Sequence, residues 1–254
     1  MGNAKGVEMT VINETDISVE ELRSLALSEP YLDDDGLSED RLGKVTASSV
    51  KWVVIRNSYG KPYATYYAYL KQLAIERVIA KRVRFSSKYT NHGKENEAPA
   101  LVLYEERTGS DVRQGYFVEH PDLAAGATPD AFVDEDGLAQ IKAPNTSTMI
   151  DYIISAIPED DEAHELLDML GLKGYEWKEY YDQMQWEMYA ADKQWNDFVV
   201  YDPDWPEDGE IWVKRIERND TYINETMIPR VKEFLDKVTK LENYLRKTLI
   251  GVEV

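Results

Sequence analysis

The sequence predicts a mixed α/β fold, and three features of its pattern carry that prediction. Apolar residues recur at helical spacing as far as about residue 107. Short β-type runs separated by Gly, Pro and Asp then follow between residues 115 and 143. Helix and strand patterns alternate from there to an amphipathic C-terminal stretch.

Ser18 is a suitable N-cap for a short helix over Val19–Ser28, and Asp33-Asp34-Asp35-Gly36 reads as a turn. Thr46 is placed to cap a helix running to about Arg56. A second helix is expected over Tyr63–Lys81, with Tyr66, Leu70, Leu73, Ala74 and Val78 on one face. A third covers Lys94–Arg107 and stops before Gly109. Gly115–Glu119, Asp130–Val133 and Leu138–Ala143 read as strands, and Asp134-Glu135-Asp136-Gly137 makes the last two a hairpin. Asn145 or Thr146 caps a helix to about Ala156, and Pro158–Glu165 is an acidic loop or helix start. A long helix over Trp177–Lys193 precedes strands near Asp197–Tyr201 and Glu210–Ile216. Asp220 or Thr221 then opens a final helix with Ile228, Val231, Leu235, Val238, Leu241 and Leu245 on its apolar face. One domain over 1–254 is expected: an acidic segment 1–40, a core 41–216 and a C-terminal helix 217–254.

Composition narrows the chemistry. The 254 residues include no cysteine, which removes disulfides, thiolate metal sites and cysteine nucleophiles. With only His92, His120 and His164 as imidazoles, all three expected on the surface or in packing, a bound metal must be held by oxygen. No apolar run reaches the roughly 18–20 residues of a membrane span, and MGNAKGVEMT has no apolar signal core. A cytoplasmic protein is expected. The formal net charge of −19 argues at first against a polyanionic partner. Its distribution reverses that. Residues 1–40 carry −9 and residues 158–187 carry −8, while Lys71–Lys94 carries +6. That basic stretch reads as a phosphate-facing surface, with the acidity kept to an outer face.

Thr128-Pro129-Asp130, followed nine residues later by Gln140-Ile141-Lys142, is the informative segment. On a hairpin, Asp130 starts one strand while residues 140 and 142 point to one face of its neighbour and Ile141 points into the core. An acid at 140 would complete a hard-cation cage with Asp130 and the Ile141 carbonyl. Lys142 would then stabilise charge building on a phosphate.

This pattern resembles the Pro-Asp…(Asp/Glu)-x-Lys signature of metal-dependent nucleases, and other blocks narrow the match. Arg41-Leu42-Gly43-Lys44-Val45-Thr46-Ala47-Ser48 resembles the Arg-x-Gly-x-x-Thr-Ala-Ser motif of the lambda-exonuclease family, the YqaJ-type viral recombinases. Gly93-Lys94-Glu95-Asn96-Glu97, Lys142-Ala143-Pro144-Asn145-Thr146-Ser147 and Gln183-Met184-Gln185 followed by Tyr201-Asp202-Pro203 are similar to later blocks of that family, in family order.

The resemblance implies a PD-(D/E)xK restriction-endonuclease-like core, a central mixed sheet flanked by helices. It implies 5′→3′ hydrolysis of double-stranded DNA from 5′-phosphorylated ends, in phage-type recombination. The cofactor is then magnesium, with manganese as substitute. Asp130, Gln140, the Ile141 carbonyl and Glu97 form the metal set. Lys142 positions the nucleophile, and Gln183 or Gln185 holds it or the scissile phosphate, with Tyr181 nearby. Arg41, Thr46 and Ser48 grip the 5′-phosphate at a helix N-terminus. A homotrimeric ring around duplex DNA and a single-strand annealing partner are also implied. The sequence departs from the family at one place, Gln140, where the family carries glutamate. Loss of that charge predicts weaker magnesium binding and attenuated activity. The alternatives are a catalytically inactive DNA-end-binding protein of the same fold and a nuclease of the RecB or Cas4 kind on other DNA substrates. The absence of cysteine disfavours iron–sulfur members of the last group.

Overall fold

A computed structural model describes residues 39–82, 90–157, 161–172 and 177–251. The expected helix behind Ser18, the turn at Asp33–Gly36, and Arg84 and Lys88 of the basic stretch lie outside the described residues.

Among the described residues, eight strands form two mixed sheets. The larger has the order β2-β5-β6-β7-β8, built from β2 (Val112–Gln114), β5 (Ala131–Val133), β6 (Gly137–Lys142), β7 (Trp195–Tyr201) and β8 (Ile211–Glu217). All neighbours are antiparallel except β6 and β7, which are parallel. A parallel pair needs a crossover. Here the crossover consists of α4 (Thr146–Ser155), α5 (Asp161–Leu170) and α6 (Lys178–Ala191). The smaller sheet joins β1 (Val45–Thr46), β4 (Ala125–Ala127) and β3 (Val118–Glu119). The helices α1 (Ala47–Val54), α2 (Ala64–Ile79) and α3 (Thr90–Thr108) follow β1 and precede the other strands. The short α7 (Asp220–Tyr222) leads through a π-helical turn into α8 (Ile228–Leu245).

Alternation along the sheet sorts the core. Ala131, Val133, Ala139, Ile141, Val199 and Tyr201 pack against Ala100 and Tyr104 of α3. Phe132, Leu138, Phe198 and Val200 face the other way, onto Met149 of α4 and Met184 and Met188 of α6. A third cluster joins α1, α2 and α8 around Val50, Tyr66, Leu73, Val231, Phe234 and Val238, with Trp186 of α6 sealing it. Ile228, Leu241 and Leu245 pack partly buried at its edge, so the apolar stripe of the C-terminal helix is a core face.

The structure adds detail at three places. The expected strand Gly115–Glu119 is extended into a strand only at Val118–Glu119 (β3), while β2 lies just before it at Val112–Gln114, and the two belong to different sheets. Gly115 is the cause: a Cβ there would come 1.7 Å from the Pro129 carbonyl oxygen, so only glycine lets the chain cross at this point. The final helix opens at Asp220, as expected, and Asn219 before it supplies the cap, its side chain accepting from the Tyr222 N–H. The strands β1 and β4, two and three residues long, are too short to show a period of two.

Asp197 of β7 anchors the sheet edge. Buried at 3% exposure, it accepts from Arg215 Nε at 2.9 Å, Arg215 Nη2 at 3.0 Å and Tyr104 Oη at 2.6 Å. The Arg215 guanidinium also lies 3.5 Å from the centre of the Trp195 ring. Asp197→Ala leaves the hydroxyl and guanidinium without their acceptor. It is expected to lower stability by about 2–3 kcal/mol in urea titration with an unchanged slope. A loss below about 0.5 kcal/mol would contradict this reading of the cluster.

Candidate active site

The β5–β6 hairpin builds the floor of the site. Asp134 turns it with φ of 49°, a conformation aspartate tolerates. The turn pairs Ala131 with Ala139, which sets Asp130 beside the end of β6. Asp130 Oδ2 accepts from the Ile141 N–H at 2.7 Å and from the Gln140 side-chain amide. Because the pleat sends Ile141 toward α3, Gln140 and Lys142 share the opposite face, as the spacing predicted. Gly115 bears on the same floor from β2, its N–H donating to the Asp130 carbonyl at 3.1 Å.

Above this floor opens a cavity of about 1170 Å3, lined by Asp130, Gln140, Lys142 and Gln183, by Glu97 of α3, and by Arg41, Thr46 and Ser48. The structure therefore brings together nearly all of the residues singled out from sequence. Arg41 reaches the wall through Thr128 Oγ1, and its guanidinium lies 5.7 Å from the Phe117 ring. Gly43 makes that approach possible. With φ of 64°, it donates its N–H to the buried Glu76 and accepts from Arg77 Nε at 2.8 Å. Thr46 occupies the N-cap position of α1 without a side-chain capping bond, and Ser48 stands exposed on the cavity rim in the first turn of that helix.

The wall contributed by α6 holds what sequence reasoning missed. Gln183 Nε2 donates both to the Gln140 side-chain oxygen and to Glu187 Oε1, the latter at 2.8 Å. Asn196 Nδ2 of β7 donates to Glu187 Oε2 at 2.9 Å. Glu187 and Asn196 are fully buried. A continuous chain of hydrogen bonds thus runs Asp130–Gln140–Gln183–Glu187–Asn196. Its sequence signal is modest: a glutamate one turn after Gln183, flanked by Trp186 and Met188, where the helix must face the core. Burial raises the pKa of Asp130, opposed by the Lys142 charge and the Ile141 N–H. Burial, reinforced by the negative charge of Asp130, pushes Glu187 up to about 8.

Two expected site residues stand elsewhere. Gln185 is fully buried on another face of α6, donating to the Glu217 carbonyl at 2.8 Å and accepting from the Asn219 N–H at 2.7 Å. Residues two apart on a helix cannot share a face, so only Gln183 enters the cavity. Tyr181 packs on Trp177 and Tyr222 and takes a hydrogen bond from Asn219, away from the cavity wall. Tyr180 meets the site instead, its ring 4.9 Å from Lys142 Nζ. The charge map also changes. Of the acidic run 158–187, Asp182 and Glu187 are interior, Asp182 accepting from Tyr222 Oη at 2.7 Å. Arg77 of the basic stretch is committed to Gly43, Thr239 and Glu242 rather than to an outer surface. His120 is a packing residue, its Nε2 2.8 Å from Tyr189 Oη.

Among the described residues that line the cavity from the hairpin and α3, the side chains able to ligate a cation offer oxygen. Asp130 supplies a carboxylate, Gln140 an amide oxygen, and Glu97 and Glu105 further carboxylates on the wall. That set suits a hard divalent cation, at lower charge than a site with an acid at 140. Among the described residues, no three Asp, Glu, His or Cys side chains gather as a metal cluster.

The YqaJ-like viral recombinase domain model matches residues 38–194. Among solved structures, the alkaline exonuclease LHK-Exo from Laribacter hongkongensis is 32% identical with a TM-score of 0.68, covering 83% of this chain and 95% of that one. The same enzyme in complex with dAMP matches at 32% identity and a TM-score of 0.69, covering 84% of this chain and 96% of that one. A phage related exonuclease from Haemophilus somnus 129PT shares the fold at 18% identity and a TM-score of 0.56, over 80% of this chain and 94% of that one. No curated protein matches the chain significantly.

Glu187 sets a pH dependence with a definite sign. Between its ordinary value of 4.5 and its folded value of about 8, the folded chain holds a proton that the unfolded chain has released. The stability contributed by this residue is therefore lost as pH rises through that window. The unfolding free energy of the parent minus that of Glu187→Gln, measured without divalent metal, should fall between about pH 5 and about pH 9. A flat or rising difference would contradict the assignment.

Proposed function

The chain belongs to the YqaJ-like viral recombinase domain family, and from that membership we propose that it is a recombination exonuclease acting on double-stranded DNA ends. The observation that carries this reading is the convergence, in one cavity, of Asp130, Gln140 and Lys142 with Glu97, Gln183 and the N-terminus of α1. The similarity to an alkaline exonuclease whose complex holds dAMP supports a nucleotide-releasing activity.

Asp130, the Gln140 amide oxygen, the Ile141 carbonyl and Glu97 would hold a divalent cation, magnesium or in its place manganese. When bound, that cation supplies Lewis acidity toward water and the scissile phosphate. The protein's own groups do the rest. Lys142, its ammonium held against the Tyr180 ring, orients the attacking water and balances charge growing on the phosphate. Gln183 donates from the α6 wall and steadies the Gln140 amide. Arg41, Thr46 and Ser48 receive the 5′-phosphate at the start of α1, where unpaired N–H groups and the helix dipole favour an anion. This sets a 5′→3′ polarity. Activity is attenuated, because an amide replaces one ligand charge. A trimeric ring, a single-strand annealing partner and a cytoplasmic location in a bacterial or phage-infected cell complete the proposal. Among the described residues no helix is long and apolar enough to cross a membrane.

One feature favours a second reading, a DNA-end-binding protein without hydrolysis: the Gln140 amide nitrogen faces Asp130 and occupies the oxygen a cation would use. Linear 5′-phosphorylated duplex incubated with magnesium and scored for mononucleotides separates the two. The parent is expected to release them slowly and Gln140→Glu faster. Asp130→Asn and Lys142→Ala are expected to lose on the order of 100-fold or more. Arg41→Ala should erase the preference for 5′-phosphate over 5′-hydroxyl ends. Tight end binding with no mononucleotides from the parent in magnesium or manganese would establish the second reading, and no binding at low salt would overturn both.

A further inference from the structure

We infer that Glu187 is a positioning residue of the cation site, acting through Gln183 and Gln140 and supplying from behind β6 the negative charge that the amide at position 140 does not carry. This rests on the metal-dependent reading above and deepens it.

Glu187 is fully buried among Met184, Met188 and Trp186, where a carboxylate is expensive unless something exploits its charge. Tying α6 to β7 would not require a charge, since a neutral pair with Asn196 would serve. Instead both oxygens are engaged, one by Asn196 and the other by Gln183, which also reaches Gln140. Gln140 in turn reaches Asp130. Two carboxylates are thus joined by an unbroken run of two side-chain amides, with no apolar group between them.

Two physical consequences follow. Both Glu187 oxygens accept, which fixes the end of the Gln183 amide that it meets. Gln183 then presents its other hydrogen to the Gln140 oxygen, holding the Gln140 amide nitrogen on Asp130 in the cation-free arrangement that a cation has to displace. The second consequence is electrostatic. Without a cation, burial and the neighbouring Asp130 charge favour the protonated form of Glu187; a divalent cation beside Asp130 offsets that repulsion and favours the ionised form, which then attracts the cation. A charge two side chains removed acts more weakly than a direct ligand, so its effect should be near one order of magnitude and should vanish once residue 140 carries its own charge.

A double-mutant cycle tests this, with manganese as the probe and free manganese read by electron paramagnetic resonance on folded protein without DNA. Glu187→Gln is expected to weaken manganese binding about tenfold in the parent and less than twofold in the Gln140→Glu background. Unchanged binding in the parent, or an equal loss in both backgrounds, would overturn the inference by making Glu187 a purely structural residue. Should Glu187→Gln fail to fold, the Gln140→Glu/Glu187→Gln protein decides. Relocating the carboxylate predicts a folded, manganese-binding chain, and failure of this double variant to fold overturns the inference. A folded parent that binds no manganese would remove the cation site from the proposed function itself, and the role of Glu187 with it.

Discussion

Strand β6 is held on all sides. It pairs with β5 on one edge and β7 on the other, while α3 covers one face and α6 the other. Such a strand has no freedom to slip, because a one-residue shift would drive Ile141 toward α6 and Gln140 into the apolar layer under α3. Everything chemical in the molecule depends on that lock. Alternation within β6 aims Gln140 and Lys142 at the cavity, and its antiparallel turn to β5 returns Asp130 to the same place. Gly115, pressed on the Pro129 main chain, completes the confinement from β2.

The polar chain from Asp130 to Asn196 uses this rigidity. It links a hairpin, a helix and a central strand that are far apart in sequence, and each link is a side-chain hydrogen bond in a region of low dielectric. Networks of this kind are strong when every member is satisfied and costly when one partner is missing. The exchange of a carboxylate for an amide at 140 therefore changes more than one ligand. It alters the direction of hydrogen bonding along the row and leaves Asp130 and Glu187 as its two charged groups.

Charge is organised by the same logic. The chain is strongly acidic, yet two of the acids in the run 158–187 are interior and bonded. Arg77, counted from sequence as part of a basic surface, closes the Gly43 turn that carries Arg41 to the cavity wall. Net charge described solubility and long-range repulsion but not which groups face a ligand. Those assignments came from packing.

Much of the molecule was legible from residue pattern: the α/β class, the helices around Thr46, Leu73 and Val231, the hairpin at Asp134, and the common face of Gln140 and Lys142. Local periodicity and turn chemistry decide such features, because side chains repeat every 2 residues in a strand and every 3.6 in a helix. What the sequence could not decide depended on contacts between distant segments. Gln183 and Gln185 differ in no local property, and only the docking of α6 sends one to the cavity and the other to the Glu217 carbonyl. Tyr180 rather than Tyr181 meets Lys142 for the same reason. Glu187 looked like one more acid in an acidic run. The fold removed it from water and set it within reach of Gln183, and burial beside Asp130 raised its pKa to about 8.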